Sequence, residues 1–173
     1  MTGVIHLEGR ARILGDDVNT DYIIASTRKR ATLDEQILKQ YLLETLDPAF
    51  AGSVLPGDIL VAGWNFGCGS AMEIAATVIL ASGIKAVLAR SFARTFFRNA
   101  VNNGLVPIEC DTSRIREGEL LAIDVAGDAI RAVNRTTGAS VPAVVLPALM
   151  SRILACGGLV ELIRHGGWNA SPD

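Results

Sequence analysis

Between positions 59 and 109 the chain twice repeats a short aliphatic run, a connection and a longer helix-forming stretch, a rhythm few folds can satisfy. Residues 59–62 follow the turn signal Pro56-Gly57-Asp58 and read as a buried strand. A glycine-rich connection over residues 63–69 leads into an alanine-rich stretch, residues 71–82, that reads as a helix stopped by Gly83. Residues 85–89 read as the next strand, 91–102 as a helix ended by Asn103-Gly104, and 106–109 as another strand. The pattern predicts an α/β protein rather than a sandwich or a helix bundle.

The flanking segments fit the same class. Residues 8–14 read as a strand ended by Gly15-Asp16-Asp17, and Asn19-Thr20-Asp21 suits a turn before the apolar Tyr22-Ile23-Ile24. Arg28, Lys29 and Arg30 are expected on a loop, followed by a helix over 33–46 that stops before Pro48. Strands are expected over 121–125, 129–133 and 143–146, with hairpin turns at Gly127-Asp128 and Thr137-Gly138. The last helix, 151–165, is divided at Gly157-Gly158, and residues 166–173, with Gly166-Gly167 and Ser171-Pro172, read as a tail.

The chain's 173 residues are half apolar and 20% charged, which supplies one core and predicts a single domain over residues 1–173 rather than disorder. Sixteen Lys and Arg against eighteen Asp and Glu leave a charge of −2 and no basic field for nucleic acid. No apolar run approaches the roughly 18 residues that a membrane helix needs. The N-terminus lacks the pattern of a secretory signal, so a cytoplasmic protein is expected. Cys68, Cys110 and Cys156 are widely spaced and only two histidines accompany them, so no zinc or iron–sulfur site of the chain's own is expected.

The chemistry concentrates in Asn65-Phe66-Gly67-Cys68-Gly69-Ser70, which runs into Ala71-Met72-Glu73. Gly67 and Gly69 allow a sharp turn, and a helix starting beside it aims free N–H groups at an anion. Ser70 with Glu73 three residues on matches a capping box, which has Ser70 satisfy backbone donors; a second reading, not exclusive of the first, has it present its hydroxyl to a substrate. Gly67-Cys68-Gly69 also opens a dinucleotide fingerprint, but Met72 stands at its third glycine. Arg90, where a ribose-binding acid belongs, suits only an NADP 2′-phosphate. Arg94 and Arg98 share one helical face, either as solvated charges or as a surface for an acidic partner.

Four motifs in order identify a resemblance: Asn19-Thr20-Asp21-Tyr22-Ile23-Ile24; the glycine-rich turn; Ile84-Lys85-Ala86-Val87 with Ser91-Phe92-Ala93-Arg94; and Arg98-Asn99-Ala100-Val101-Asn102-Asn103-Gly104. Together with Cys156-Gly157-Gly158-Leu159-Val160 they resemble the small subunits of the 3-isopropylmalate dehydratase and homoaconitase group. The resemblance implies a three-layer β/β/α swivelling domain of the kind that forms the fourth domain of aconitase. It implies a hydro-lyase acting on a 2-hydroxy di- or tricarboxylic acid in a hetero-oligomer with an aconitase-like large subunit that carries the 4Fe-4S cluster. It places Ser70 where the family's proton-taking serine stands, with Gly69, Ala71 and Met72 as substrate-binding neighbours. The family's usual Gly-Ser-Ser-Arg-Glu reads Gly69-Ser70-Ala71-Met72-Glu73 here, so a carboxylate-gripping arginine has become Met72. Arg30 falls where relatives carry a substrate-binding arginine, while Arg28 and Lys29 are extra cations on the same segment. An altered substrate is therefore expected. A non-catalytic binding subunit and a stand-alone phosphate or NADP binder remain the alternatives.

Overall fold

The computed structural model describes residues 4–167, so Ser171-Pro172 and most of the expected tail lie outside the described residues. In chain order the elements are β1 (Ile5–Ile13), α1 (Thr20–Ile23), α2 (Ser26–Ala31), α3 (Glu35–Leu38), α4 (Phe50–Ser53), β2 (Ile59–Val61), α5 (Ile74–Ala81) and β3 (Ala86–Ala89). They continue with α6 (Arg94–Asn103), β4 (Val106–Glu109), β5 (Leu120–Ala126), β6 (Ala129–Asn134), β7 (Ser140–Val141), α7 (Ala148–Ala155) and α8 (Leu159–Arg164).

One curled seven-stranded sheet carries the order β4-β3-β2-β1-β5-β6-β7. β1 is the shared strand: its first six residues, Ile5 to Arg10, pair antiparallel with β5, and its last three, Ala11 to Ile13, pair parallel with β2. The two edges meet where Cys110 bridges Ala143 and Val144 N–H donates to Glu109 O at 2.8 Å. Pro107 sits in β4, the edge strand of the ladder order, where a missing N–H is tolerated.

Strands β2 and β3 are buried on both faces, as parallel strands covered by crossover helices must be. Leu60, Val87 and Ala89 pack with Ile23, Leu38, Val78 and Ile79 on the α5 side. Ile59, Val61, Ala86 and Leu88 pack with Leu121, Ile123 and Val125 of β5 and with Ile153, Leu154 and Leu162 of α7 and α8. At the entry to β2, the buried Asp58 carboxylate receives Arg10 at 2.8 and 3.0 Å, Arg12 at 3.2 Å and the Leu55 amide at 3.0 Å. Arg12 also donates to Glu117 at 2.8 Å, so the ion cluster ties β1 and β2 to the approach to β5.

Several elements depart from the sequence expectation. The basic triplet lies on the short helix α2 rather than on a loop. The helix expected over 33–46 is only α3 and a 3₁₀ turn over Lys39–Tyr41, because Leu43 adopts φ +57 and donates to Ile23 O at 3.0 Å. That break lets the adjacent Leu42 and Leu43 both be fully buried. The helix expected from residue 71 starts at Ile74. The strand expected over 143–146 shrinks to the single bridge at Ala143, leaving Val144 and Val145 exposed. The division at Gly157-Gly158 is borne out: Gly158, at φ +128, separates α7 from α8 and lies so near Asn102 O that a Cβ would stand 2.7 Å from it.

Candidate active site

The turn between β2 and α5 is clamped to the segment after β1. Gly67 N–H donates to Val18 O at 2.8 Å, Thr20 N–H donates to Cys68 O at 2.8 Å, and Asn19 and Cys68 form a parallel bridge. The buried Thr20 hydroxyl then donates to Ser70 O at 3.0 Å. Asn19 caps α1 by accepting from the Asp21 amide at 2.8 Å, as its turn-forming chemistry predicts. Both turn glycines have left-handed backbone and no room for a side chain. At Gly67 (φ +79) a Cβ would stand 2.2 Å from the Phe96 ring, and at Gly69 (φ +94) it would stand 2.4 Å from Asn19 Oδ1.

These clamps bear on the capping reading of Ser70. With its carbonyl held by Thr20, the chain cannot enter α5 at Ser70. Glu73, already helical, is the residue flanking α5, and no side chain caps that helix. The capping box is therefore not formed. Ser70 is exposed, and among the described residues neither its hydroxyl nor the N–H groups of Ser70, Ala71 and Met72 find a hydrogen-bond acceptor. A free hydroxyl beside free amides is suited to a ligand that brings negative charge.

The three cations of α2 separate. Arg28 is committed to the fold: it donates to both oxygens of Glu44 at 2.8 and 3.0 Å and stacks 3.8 Å from the Tyr41 ring centre. The hydrogen bond to Glu44 raises its already high pKa. Arg30 is exposed and, among the described residues, unpaired. Lys29 turns inward, its side chain 11% exposed, with Nζ 3.0 Å from Asp21 Oδ1 and against the Met72 sulfur. Asp21 also accepts from the Ser26 hydroxyl at 2.6 Å. That bond, followed by the one from Lys29, holds its carboxyl below the usual range. Thus Lys29 meets Met72, two residues along the turn from Ser70, Arg30 stays on the surface of the same helix, and Arg28 is used elsewhere.

Neighbouring residues hold the turn from the other side. Phe66 N–H donates to Ser91 O at 3.0 Å, Ala93 N–H donates to Phe66 O at 2.9 Å, and the Phe66 ring meets Phe96 edge-on at 5.1 Å. Arg90 lies 4.8 Å over the Trp64 ring and 3.6 Å from Asp111, so its guanidinium already has partners. The Cys68 thiol is pushed up by burial and by the nearby Asp17 charge, against thiolate chemistry. Cys110 is buried, with its thiol pushed up to about 12, and Cys156 is half-buried. Among the described residues no three His, Cys, Asp or Glu side chains converge as a metal site. These cysteines do not fit an iron–sulfur cluster on this chain. Thr20 is the residue that sequence reasoning missed. Its place in the Asn19-Thr20-Asp21 motif was visible, but its contact with a residue fifty positions away was not.

Comparison with known proteins gives concordant matches. Residues 21–113 match the family model of the aconitase C-terminal domain. The chain is 44% identical over 163 residues to the 3-isopropylmalate dehydratase small subunit of Desulfovibrio desulfuricans, covering 93% of this chain and 97% of that one. It is 42% identical to the methanogen homoaconitase small subunit of Methanocaldococcus jannaschii, covering 91% of each. It superposes on the crystal structure of a 3-isopropylmalate dehydratase from Methanocaldococcus jannaschii with a TM-score of 0.86 and 41% identity, over 92% of this chain and 94% of that one.

Proposed function

We propose, because the chain belongs to the aconitase C-terminal domain family alongside the small subunits of 3-isopropylmalate dehydratases and homoaconitases, that it supplies the serine base and carboxylate-binding cations to a hydro-lyase. The substrate is a 2-hydroxy di- or tricarboxylic acid, and the reaction removes water across two adjacent carbons and adds it back. The observation that carries this reading is the unbonded Ser70 hydroxyl, held by its own backbone rather than by a capping role.

In the forward direction Ser70 Oγ, as alkoxide, takes the proton from the carbon next to the hydroxyl-bearing one; the C–H electron pair becomes the double bond and the C–O bond breaks with its own pair. The departing hydroxide takes up a proton from an acidic group of the closed site to become water, and Ser70 gives up the proton it took to return to the alkoxide. Re-addition reverses these steps. A serine is a weak base in water, so the alkoxide needs the free amides of residues 70–72 and a neighbouring cation in a closed, dry site. Lys29 is the cation nearest Met72, and we assign it the substrate carboxylate that an arginine at position 72 holds in the resembling family. Arg30, exposed on the same helix, is a second cation for a distal carboxylate. Gly69 and Ala71 contribute backbone and the absence of bulk. Aconitase-family enzymes use an iron–sulfur cluster, which supplies Lewis acidity toward the leaving hydroxyl, and we place it on the aconitase-like large subunit.

The test is to co-express the chain anaerobically with the aconitase-like large subunit of the same genome and assay a panel of 2-hydroxy di- and tricarboxylates for the unsaturated product. Ser70→Ala should abolish turnover while the complex still assembles. Near-normal turnover by that variant defeats the assignment. An assembled, cluster-loaded complex that is inert toward every acid makes the chain a binding subunit instead.

A further inference from the structure

Two clefts open beside the candidate site, at the end of the sheet where β2, β3 and β4 finish. One, of about 500 Å³, has Trp64, Arg90 and Val144 in its walls; the other, of about 390 Å³, is lined by Arg94 and Arg98 with aromatic residues between them. Glu109, the last residue of β4, lines both clefts, which adjoin there and are taken together as one band.

The centre of this band is apolar and open to water. Trp64 is 51% exposed and Val144 59%, although the sequence around Val144 reads as a strand that would be paired and covered. Large apolar side chains grouped at one place on a surface mark an interaction face, and tryptophan and arginine dominate the binding energy of such faces. The flank carries more positive than negative charge: Arg94 and Arg98 are exposed, one helical turn apart, among the described residues neither has an ion pair, and Glu109 is the one carboxylate in the lining of their cleft. Trp64 and Ser70 belong to the same loop, and the Phe66 contacts fix that loop to the start of α6.

We propose that this band is the docking face for the aconitase-like large subunit, with Trp64 and Val144 as its apolar centre and Arg94 and Arg98 receiving acidic side chains of that subunit. The inference rests on the reading that Ser70 works against a partner subunit. A partner that closes over Ser70 has to approach this end of the sheet, and the band adjoins the loop that carries Ser70. The charge on the flank argues for an acidic contact rather than for a second copy of this chain, which would bring Arg94 and Arg98 against themselves if the face were used isologously.

The experiment is titration of the full chain with the aconitase-like large subunit of the same genome, followed by sedimentation or biolayer interferometry. Trp64→Ala and the double change Arg94→Gln with Arg98→Gln should each weaken the complex at least about tenfold. Leu55→Ala, at an exposed apolar residue before the opposite end of β2, should not. Circular dichroism melts of all variants should match the unmodified chain. The arginine variant should also lose part of the salt dependence of binding. Unchanged affinity for both variants overturns the proposal, as does loss of self-association by Trp64→Ala with the mixed complex unaffected. An unmodified chain that does not bind the large subunit also overturns it. A complex that forms and responds to these variants, yet converts none of the acids, leaves the docking face standing while the hydro-lyase reading fails.

Discussion

The Thr20 hydroxyl donates a 3.0 Å hydrogen bond to the Ser70 carbonyl, joining the segment after β1 to the turn after β2 across fifty residues. Because Thr20 is buried, this bond sets where the Ser70 backbone lies and hence where its free hydroxyl is presented. Thr20→Val keeps the shape and removes the donor. It should cost about 1–2 kcal/mol of stability and lower kcat about 10- to 100-fold through misplacement of the base. KM should change little. A kcat equal to that of the unmodified complex, measured at saturating substrate, removes the positioning role.

Gly69 is required for a different reason. Its φ of +94 disfavours any side chain, and a Cβ would stand 2.4 Å from Asn19 Oδ1, the atom that caps α1. Gly69→Ala therefore strains the turn and displaces the cap together, at a cost of about 1–3 kcal/mol. Chemical denaturation reads that loss. Gly118→Ala is the control: Gly118 also has positive φ, but a Cβ there would meet nothing within 4 Å, so the excess cost at Gly69 isolates the clash.

How much of this was legible in the sequence depended on the range of the forces. The strands around 59, 86 and 106 could be read because burial on both faces demands short aliphatic runs whatever the surroundings. The start of α5 could not. Ser70 and Glu73 satisfy a local capping rule, yet the clamps from Val18, Asn19 and Thr20 keep the chain out of helix until Ile74. The same limit applies to the cations: composition grouped Arg28, Lys29 and Arg30, whereas Glu44 and Tyr41 take the first and Met72 and Asp21 face the second. Both distinctions come from contacts more than a dozen residues apart, except for the bond between Lys29 and Asp21.

The buried ion cluster gives a stability prediction. Asp58 is 2% exposed and Arg12 8%, so removing the carboxylate leaves buried positive charge with less compensation. Asp58→Ala should destabilise the chain by about 3–5 kcal/mol. Urea unfolding checks it, and a loss under about 1 kcal/mol would mean that Glu117 and Ser53 suffice for Arg12.

The same carboxylate predicts the acid limb of the stability curve. Burial alone would push Asp58 up. The Arg10 hydrogen bonds, the Leu55 amide and Arg12 outweigh it and hold the carboxyl below its ordinary value. The folded state therefore binds this proton less readily than the unfolded chain. Its stabilisation is complete above the unfolded carboxylate pKa of about 3.9 and disappears as pH falls through the lower folded value. Stability of the unmodified chain should fall steeply below about pH 4, and Asp58→Asn should flatten that fall while lowering the plateau. Identical slopes for the two proteins would remove Asp58 as the source.

The pairing of Lys29 with Met72 makes the sharpest test of substrate recognition. Lys29 Nζ lies against the Met72 sulfur with little exposure, so position 72 and position 29 offer one site for one cation. Lys29→Met should raise KM about 10- to 100-fold by removing a charge-assisted hydrogen bond to a carboxylate. Met72→Arg alone should also impair the enzyme, because it forces two cations together in a poorly hydrated place. The double change Lys29→Met with Met72→Arg moves the cation from α2 to the turn and relieves that repulsion, so it should outperform either single variant in kcat/KM. Measuring all four combinations on the same acids gives the coupling directly. Additive effects would mean that the two residues act on different parts of the substrate. A gain for the double variant confined to one acid in the panel would identify that cation's position as the determinant of which acid is accepted.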